Sequence, residues 1–90
     1  MPFVYMVACS DGTLYTGWAT DVESRVRAHN AGRGSVYCKR RRPVRLVYHE
    51  LVATRSQAQR REAVIKHLSR RQKLELIELQ ASAYNPTSGE

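Results

Sequence analysis

Five side chains stand out by chemical type and by order along the chain: Tyr5, Tyr15, Arg25, His29 and Glu62. The tyrosines lie in the runs Phe3-Val4-Tyr5 and Tyr15-Thr16-Gly17, with the turn formers Ser10-Asp11-Gly12 between them. A phenol is polarisable, exchanges a proton and binds anionic oxygen. Two phenols on one sheet face, beside a guanidinium, an imidazole and a carboxylate, suggest phosphoryl chemistry. A free phenol, with a pKa of about 10, is a poor base by itself and needs a neighbour's help.

These groups can cooperate only if the elements bring them together. Residues 3 to 9 are apolar on both alternating faces, which predicts a strand covered on both sides, and residues 13 to 18 form its hairpin partner. The connection decides the geometry. A two-residue Asp11-Gly12 turn would pair Tyr15 with Ala8 and put the tyrosines on opposite faces. A three-residue Ser10-Asp11-Gly12 loop, with Gly12 left-handed, pairs Cys9 with Thr13 and puts both on one face. The three-residue loop is the expectation.

Thr20-Asp21-Val22-Glu23 reads as a capping box, so a helix should start near Asp21 and run to about Ala31, with Gly32 as its left-handed cap. On it Arg25 and His29, four residues apart, project from one face, while Val22 and Val26 offer an apolar stripe to the sheet. The stretch from Gly32 to Pro43 holds two glycines, four consecutive cations and Tyr37, and reads as a loop. Val44 to Val52 is rich in β-branched and aromatic residues and predicts the third strand. Thr54-Arg55-Ser56-Gln57 and Ser69-Arg70-Arg71-Gln72 start two more helices. Ala58, Ile65 and Leu68 face inward on the first, and Leu74, Leu76 and Ile77 on the second. Residues 81–90, with Asn85-Pro86 and no periodic pattern, read as a flexible tail. The expected fold is α/β, a small three-stranded antiparallel sheet flanked by helices in the order β-β-α-β-α-α, forming one domain over residues 1–80.

Glu62 is the hardest of the five to explain structurally. It follows Ala58 by four residues and precedes Ile65 by three, which puts a carboxylate on the helix face that should be buried. An ion pair with Arg61 or Lys66 at the helix surface is one outlet. On the inward face the carboxylate needs a cation, a metal or several donors to offset its desolvation. A hard ion such as Mg²⁺ is often held by one or two carboxylates together with water and substrate phosphate, so a single Glu suffices.

In this order and spacing, Phe3-Val4-Tyr5, Tyr15-Thr16-Gly17, Arg25, His29 and Glu62 resemble the GIY-YIG nuclease domain. The run Arg41-Arg42-Pro43-Val44-Arg45-Leu46-Val47-Tyr48 is similar to that of its small single-domain bacterial members. The resemblance covers roughly residues 3 to 79. It implies that Glu62 ligates one divalent metal, Mg²⁺ or Mn²⁺, that Arg25 stabilises charge on the scissile phosphate, and that Tyr5 and Tyr15 lie beside the attacking water. One tyrosine would act as, or help build, the general base, with His29 as proton acceptor. The chain departs from the family pattern in three places. Phe3 stands where the first motif has glycine, and Thr16 replaces the apolar middle of the second. Many members carry an asparagine after the metal-bearing helix, and no Asn occurs here between Glu62 and Asn85.

Composition sets the partner class. Net charge is +7, concentrated in Lys39-Arg40-Arg41-Arg42 and in the helical set Arg55, Arg60, Arg61, Lys66, Arg70, Arg71 and Lys73. That distribution fits a polyanion, because each phosphate neutralised releases counterions. Lys39 to Arg42, beside Tyr37 and glycine-rich backbone, are the candidate nucleic-acid contacts. Cys9 and Cys38 fit no metal-ligand spacing and read as one buried and one loop thiol. No apolar run approaches the ~20 residues that span a bilayer and no signal peptide opens the chain, so a cytoplasmic location and no membrane partner are expected.

Without the motif order, Tyr5 and Tyr15 would be ordinary strand formers and Trp18 a core or rim aromatic, although Trp18 could also stack on a base. His49 and His67 read as structural or surface residues. The functional expectation is metal-dependent phosphodiester hydrolysis of nucleic acid, DNA before RNA, without sequence specificity of its own. The alternatives are a non-catalytic nucleic-acid-binding module on the same scaffold, and a nuclease subunit that needs a protein partner to supply activity or specificity.

Overall fold

The computed structural model describes residues 1–83. Strands β1 (Phe3–Ala8) and β2 (Leu14–Ala19) form the hairpin that the turn residues predict. The Cys9 N–H donates to the Thr13 carbonyl at 2.9 Å, the Gly12 N–H donates to the Cys9 carbonyl at 3.0 Å, and Gly12 adopts φ +87°. The Asp11 carboxylate accepts from the Thr13 N–H and hydroxyl, closing the loop. The resulting register sets Tyr5 opposite Gly17 and Val7 opposite Tyr15. Both tyrosines therefore share a face, as the three-residue loop requires.

Strand β3 (Arg45–Leu51) pairs antiparallel with the other side of β1, giving the order β2-β1-β3. A register shift between Met6 and Val7 skips Val47, a bulge in β3. Central β1 is covered on both faces, which is why Val4, Tyr5, Met6 and Val7 are all apolar or aromatic and nearly inaccessible. Helix α1 (Val22–Asn30) and the single turn α2 (Val36–Lys39) pack on the Tyr5 face, around Val7, Cys9, Ala19, Val22, Cys38 and Val44. Helices α3 (Arg55–Lys66) and α4 (Arg70–Ala83) cover the other face, against Val4, Met6 and Tyr48. The element order matches the expected β-β-α-β-α-α, with α2 added inside the expected loop. Four residues are too few to show helical periodicity, but Ser35 caps them by accepting from the Cys38 N–H at 3.1 Å.

The other helix ends follow their caps. Asp21, and not Thr20, is the N-cap of α1, its carboxylate accepting from the Ser24 N–H at 3.0 Å. Asp ranks above Thr at that position, so the cap sits one residue later than expected and Ser24, not Glu23, takes the third helical position. At the C-terminus the Gly32 N–H donates to the His29 carbonyl and the Arg33 N–H to the Ala28 carbonyl, with Gly32 at φ +84°. That is a Schellman motif with the glycine where the sequence placed it. Thr54 caps α3, and Ser69 with Gln72 forms a reciprocal capping box on α4. Leu76 and Ile77 pack inward on α4, whereas Leu74, expected to join them, is 43% exposed. Helix α4 continues to Ala83, three residues into the segment expected to be a tail. The rest of that segment, including Asn85, lies outside the described residues. Cys38, read as a loop thiol, is as buried as Cys9 because α2 turns it into the core. Among the described residues no helix is long and apolar enough to cross a membrane.

Candidate active site

The hairpin and α1 bring four of the five candidate residues together. His29, one helical turn beyond Arg25, reaches down from α1 to the sheet, where the Tyr5 hydroxyl and His29 Nε2 are hydrogen-bonded at 2.8 Å. The Tyr15 ring meets His29 edge-on with centroids 5.4 Å apart. Gly17 makes this arrangement possible. A Cβ at Gly17 would stand 2.7 Å from the Tyr5 hydroxyl oxygen and 2.9 Å from its Cζ. Gly34 closes the other side of the pair, since a Cβ there would overlap the His29 ring.

Enclosure sets the protonation states. Burial raises the Tyr5 pKa far above its ordinary value, with a further push from Tyr15, while the Arg25 guanidinium pulls it back. Burial also lowers the His29 pKa, and the Arg25 charge adds to that. A neutral phenol hydrogen-bonded to a neutral imidazole is therefore the resting state. His29 Nδ1 is buried without a hydrogen-bond partner, whichever tautomer is present. Thr16, the departure in the second motif, turns to the opposite face, where its hydroxyl is buried and also unpartnered.

Arg25 is exposed at the free edge of β2. Its hydrogen bond to the Trp18 carbonyl, at 3.5 Å, is long. A guanidinium held that loosely beside two phenols and an imidazole can accept an anion without first breaking an ion pair. Glu62 stands apart. It is half-buried on α3 and pairs with Lys66 at 3.3 Å, one of the two outlets expected for it. No hydrogen bond or ion pair among the described residues joins it to the other four. The Glu62 helix does not share the sheet face of Tyr5 and Tyr15. Helix α3 lies across the sheet from α1, because Ala58 and Ile65 bury against Val4 and Met6. Glu62 can approach Arg25 only around the β2 edge.

A metal site built from protein alone is not present, since the described residues contain no group of three or more His, Cys, Asp or Glu side chains placed to hold an ion. The donor set fits a Mg²⁺ ion held by the Glu62 carboxylate and completed by water and substrate phosphate. Such an ion would have to displace Lys66 from that carboxylate.

The four-cation run divides into two roles. Arg41 donates to Asp11 at 3.0 Å and to the Tyr37 carbonyl at 2.9 Å, with its guanidinium 3.8 Å over the Tyr37 ring. Arg42 ties the ends of α1 and α2 through the carbonyls of Asn30 and Lys39. Lys39 and Arg40 have no ion-pair partner among the described residues and line an open cleft with Asn30, Arg42 and Pro43. Sequence reasoning left Tyr37 in an unstructured loop, yet its ring stacks on Tyr15 at 5.7 Å and so links Arg41 to the tyrosine pair. It also missed Glu50, which receives both Arg61 and the Tyr48 hydroxyl. No local pattern carries either contact.

Comparison with known proteins shows what the chain is similar to. The family model described as the GIY-YIG catalytic domain matches residues 1–75. A UPF0213 protein of Staphylococcus haemolyticus is 55% identical over 76 residues, 84% of this chain and 93% of the relative. A UPF0213 protein of Staphylococcus aureus is 57% identical over 75 residues, 83% and 92% of the two chains. The solution structure of a UPF0213 protein from Bacillus halodurans is 41% identical with a TM-score of 0.59, covering 97% of this chain and 94% of that one. A protein from E. faecalis, also solved in solution, is 38% identical with a TM-score of 0.58, covering 88% and 84%.

Proposed function

The chain belongs to the GIY-YIG family, and from that premise we propose that it is a metal-dependent endonuclease that hydrolyses phosphodiester bonds of nucleic acid, DNA in the first instance. The observation that carries the reading is the Tyr5–His29 hydrogen bond with Arg25 alongside it. Attack of water on phosphorus forms one P–O bond, breaks the bond to the leaving oxygen and releases a proton. The Tyr5–His29 pair receives that proton, because His29 Nε2 is the acceptor already in contact with a phenol and its lowered pKa keeps it neutral. Arg25 binds the phosphoryl oxygens. Its positive charge also opposes the effect of burial on Tyr5, the direction a phenol needs to act as a base. Tyr15, half-buried at the side of His29, completes the wall around the reacting group. Glu62 would hold a Mg²⁺ or Mn²⁺ ion, which supplies Lewis-acid stabilisation of the leaving oxygen when bound. Lys39 and Arg40 contact phosphates farther along the strand.

The chain acts in the cytoplasm, with any target specificity supplied by a protein partner. The decisive experiment is a panel of single-stranded, duplex, flap and junction DNA, and RNA, with and without Mg²⁺, comparing wild type with Glu62→Gln. Cleavage that needs Mg²⁺ and falls by orders of magnitude in Glu62→Gln, with binding retained, is the expected result. The ion pair of Glu62 with Lys66 favours a second reading, a binding module that has kept the scaffold. Binding to every substrate with no cleavage of any would establish that reading instead.

A further inference from the structure

A cleft at the free edge of β2 is lined by Trp18, Ala19, Thr20, Arg25 and Arg55. Arg25 reaches it from α1 on one face of the sheet and Arg55 from the first turn of α3 on the other. Both are exposed, and neither takes part in an ion pair among the described residues. Arg25 makes a long hydrogen bond to the Trp18 carbonyl and lies close enough to Tyr5 to lower the pKa of that phenol. Two guanidiniums brought to one cleft without a carboxylate repel each other, and an anion between them relieves that repulsion. Trp18 packs partly against the Val4 and Met6 core and stays half-exposed at the mouth. A large aromatic surface beside two unpaired cations is the chemistry that recognises a nucleotide, with phosphate on the guanidiniums and base on the ring.

We propose that this cleft is a subsite for one unpaired nucleotide next to the scissile phosphate, with Arg55 binding the neighbouring phosphate and Trp18 stacking on the base. A base inside a duplex is covered on both faces by its neighbours and cannot reach Trp18. The subsite therefore selects a single-stranded segment. The inference rests on the nuclease reading only in placing the scissile phosphate at Arg25, and it names the substrate class that the reading leaves open.

The test uses a built-in probe, because Trp18 is the only tryptophan in the chain. The full chain, kept from cleaving by chelation of divalent ions, is titrated with oligothymidylate and separately with a duplex of the same length, following Trp18 fluorescence and the anisotropy of an end-labelled strand. The single strand is expected to change the Trp18 emission saturably and the duplex to leave it unchanged. Arg55→Ala is expected to reduce the slope of log affinity against log salt by about 0.7, the loss of one phosphate contact on a single strand. Trp18→Leu, checked for native melting, should weaken strand binding by about fivefold to a hundredfold, and Trp18→Phe by less. Binding seen by anisotropy with silent fluorescence, an equal response to duplex, an unchanged salt slope in Arg55→Ala, or no binding at all would each overturn the subsite. The two proposals fail separately. A chain that shows the Trp18 response but cleaves nothing keeps the subsite and loses the nuclease. One that cleaves duplex with Trp18 silent does the reverse.

Discussion

Tyr5 and His29 are hydrogen-bonded at 2.8 Å, and each is only 1% exposed. Such a pair is under opposite pressures. Burial disfavours the phenolate and the imidazolium alike, so the proton stays on the tyrosine and the histidine stays neutral. Transfer between them creates two charges in a confined space and becomes favourable only when other charges arrive. Arg25 is the resident source of positive charge that assists the phenolate, and a bound phosphate would in turn assist the imidazolium. On the proposed mechanism, proton transfer is thereby tied to the presence of substrate.

The same pair makes stability depend on pH at both extremes. His29 has a folded-state pKa below its ordinary 6.5, so below that pH the unfolded chain binds the proton more readily and stability is lost as pH falls toward the folded value. Tyr5 has a folded-state pKa above its ordinary 10.0, so stability declines as pH rises above 10.0, where only the unfolded chain ionises. Urea unfolding across pH should show its highest stability between these limits, with the buried Cys38 thiol, raised from its ordinary 9.0, adding to the alkaline loss. The acid limb should shrink in His29→Gln and the alkaline limb in Tyr5→Phe. An acid limb equal to wild type in His29→Gln would show that His29 is not the group responsible.

Two glycines of the hairpin should respond to alanine for different reasons. Gly12 sits at φ +87° in open space, so Gly12→Ala should cost about 1–2 kcal/mol of backbone strain and leave the site untouched. Gly17 has no such φ, but its Cβ would collide with the Tyr5 hydroxyl. Gly17→Ala should cost about 1–3 kcal/mol and move the phenol off His29, abolishing cleavage even where the chain is fully folded. Denaturant melts paired with cleavage rates on both variants check this, and equal rates would sink the Gly17 argument.

The basic run should also separate by variant. Arg41 fastens α2 to the hairpin through Asp11 and the Tyr37 ring, so Arg41→Ala should lower the melting temperature. Arg40 has no such contacts, and Arg40→Ala should melt like wild type while flattening the salt dependence of strand binding. Thermal melts and salt titrations of the two proteins measure both effects.

Much of this arrangement is legible in the chain because it is local. The Ser10-Asp11-Gly12 loop fixes the register, and the register puts the phenols together. Arg25 and His29 share a helix face by spacing alone. What the sequence conceals is set by contacts between distant segments. Tyr37 looks like a loop aromatic until Ser35 caps one turn and stacks its ring on Tyr15. The side of the sheet taken by α3 depends on whether Ala58 and Ile65 bury against Val4 and Met6 or against Tyr5 and Val7, and the apolar pattern of β1 suits both. For that reason the spacing that turns Glu62 inward on its helix does not say which face of the sheet that helix covers. The split of the basic run depends on where Asp11 and Asn30 come to rest, which no spacing rule encodes.

Arg25 gives the sharpest test of the proposed chemistry, because it is exposed, holds the Trp18 carbonyl only at 3.5 Å and acts on Tyr5 through its charge. Removing it should barely change stability, within about 0.5 kcal/mol for a surface site of this kind. Its effect on reaction should be large. Arg25→Ala should lower the cleavage rate by about 10²–10³-fold, the usual cost of losing one charge-stabilising donor. Arg25→Lys keeps the charge but loses the planar fork that holds two phosphoryl oxygens, so it should restore only part of the rate. If the guanidinium acts on the phosphate, the loss falls on kcat. If Arg25 only attracts the strand, KM rises, kcat is kept, and added salt lowers wild type to the level of the variant. Single-turnover cleavage at saturating substrate distinguishes the two, and an unchanged rate in Arg25→Ala would remove Arg25 from the mechanism.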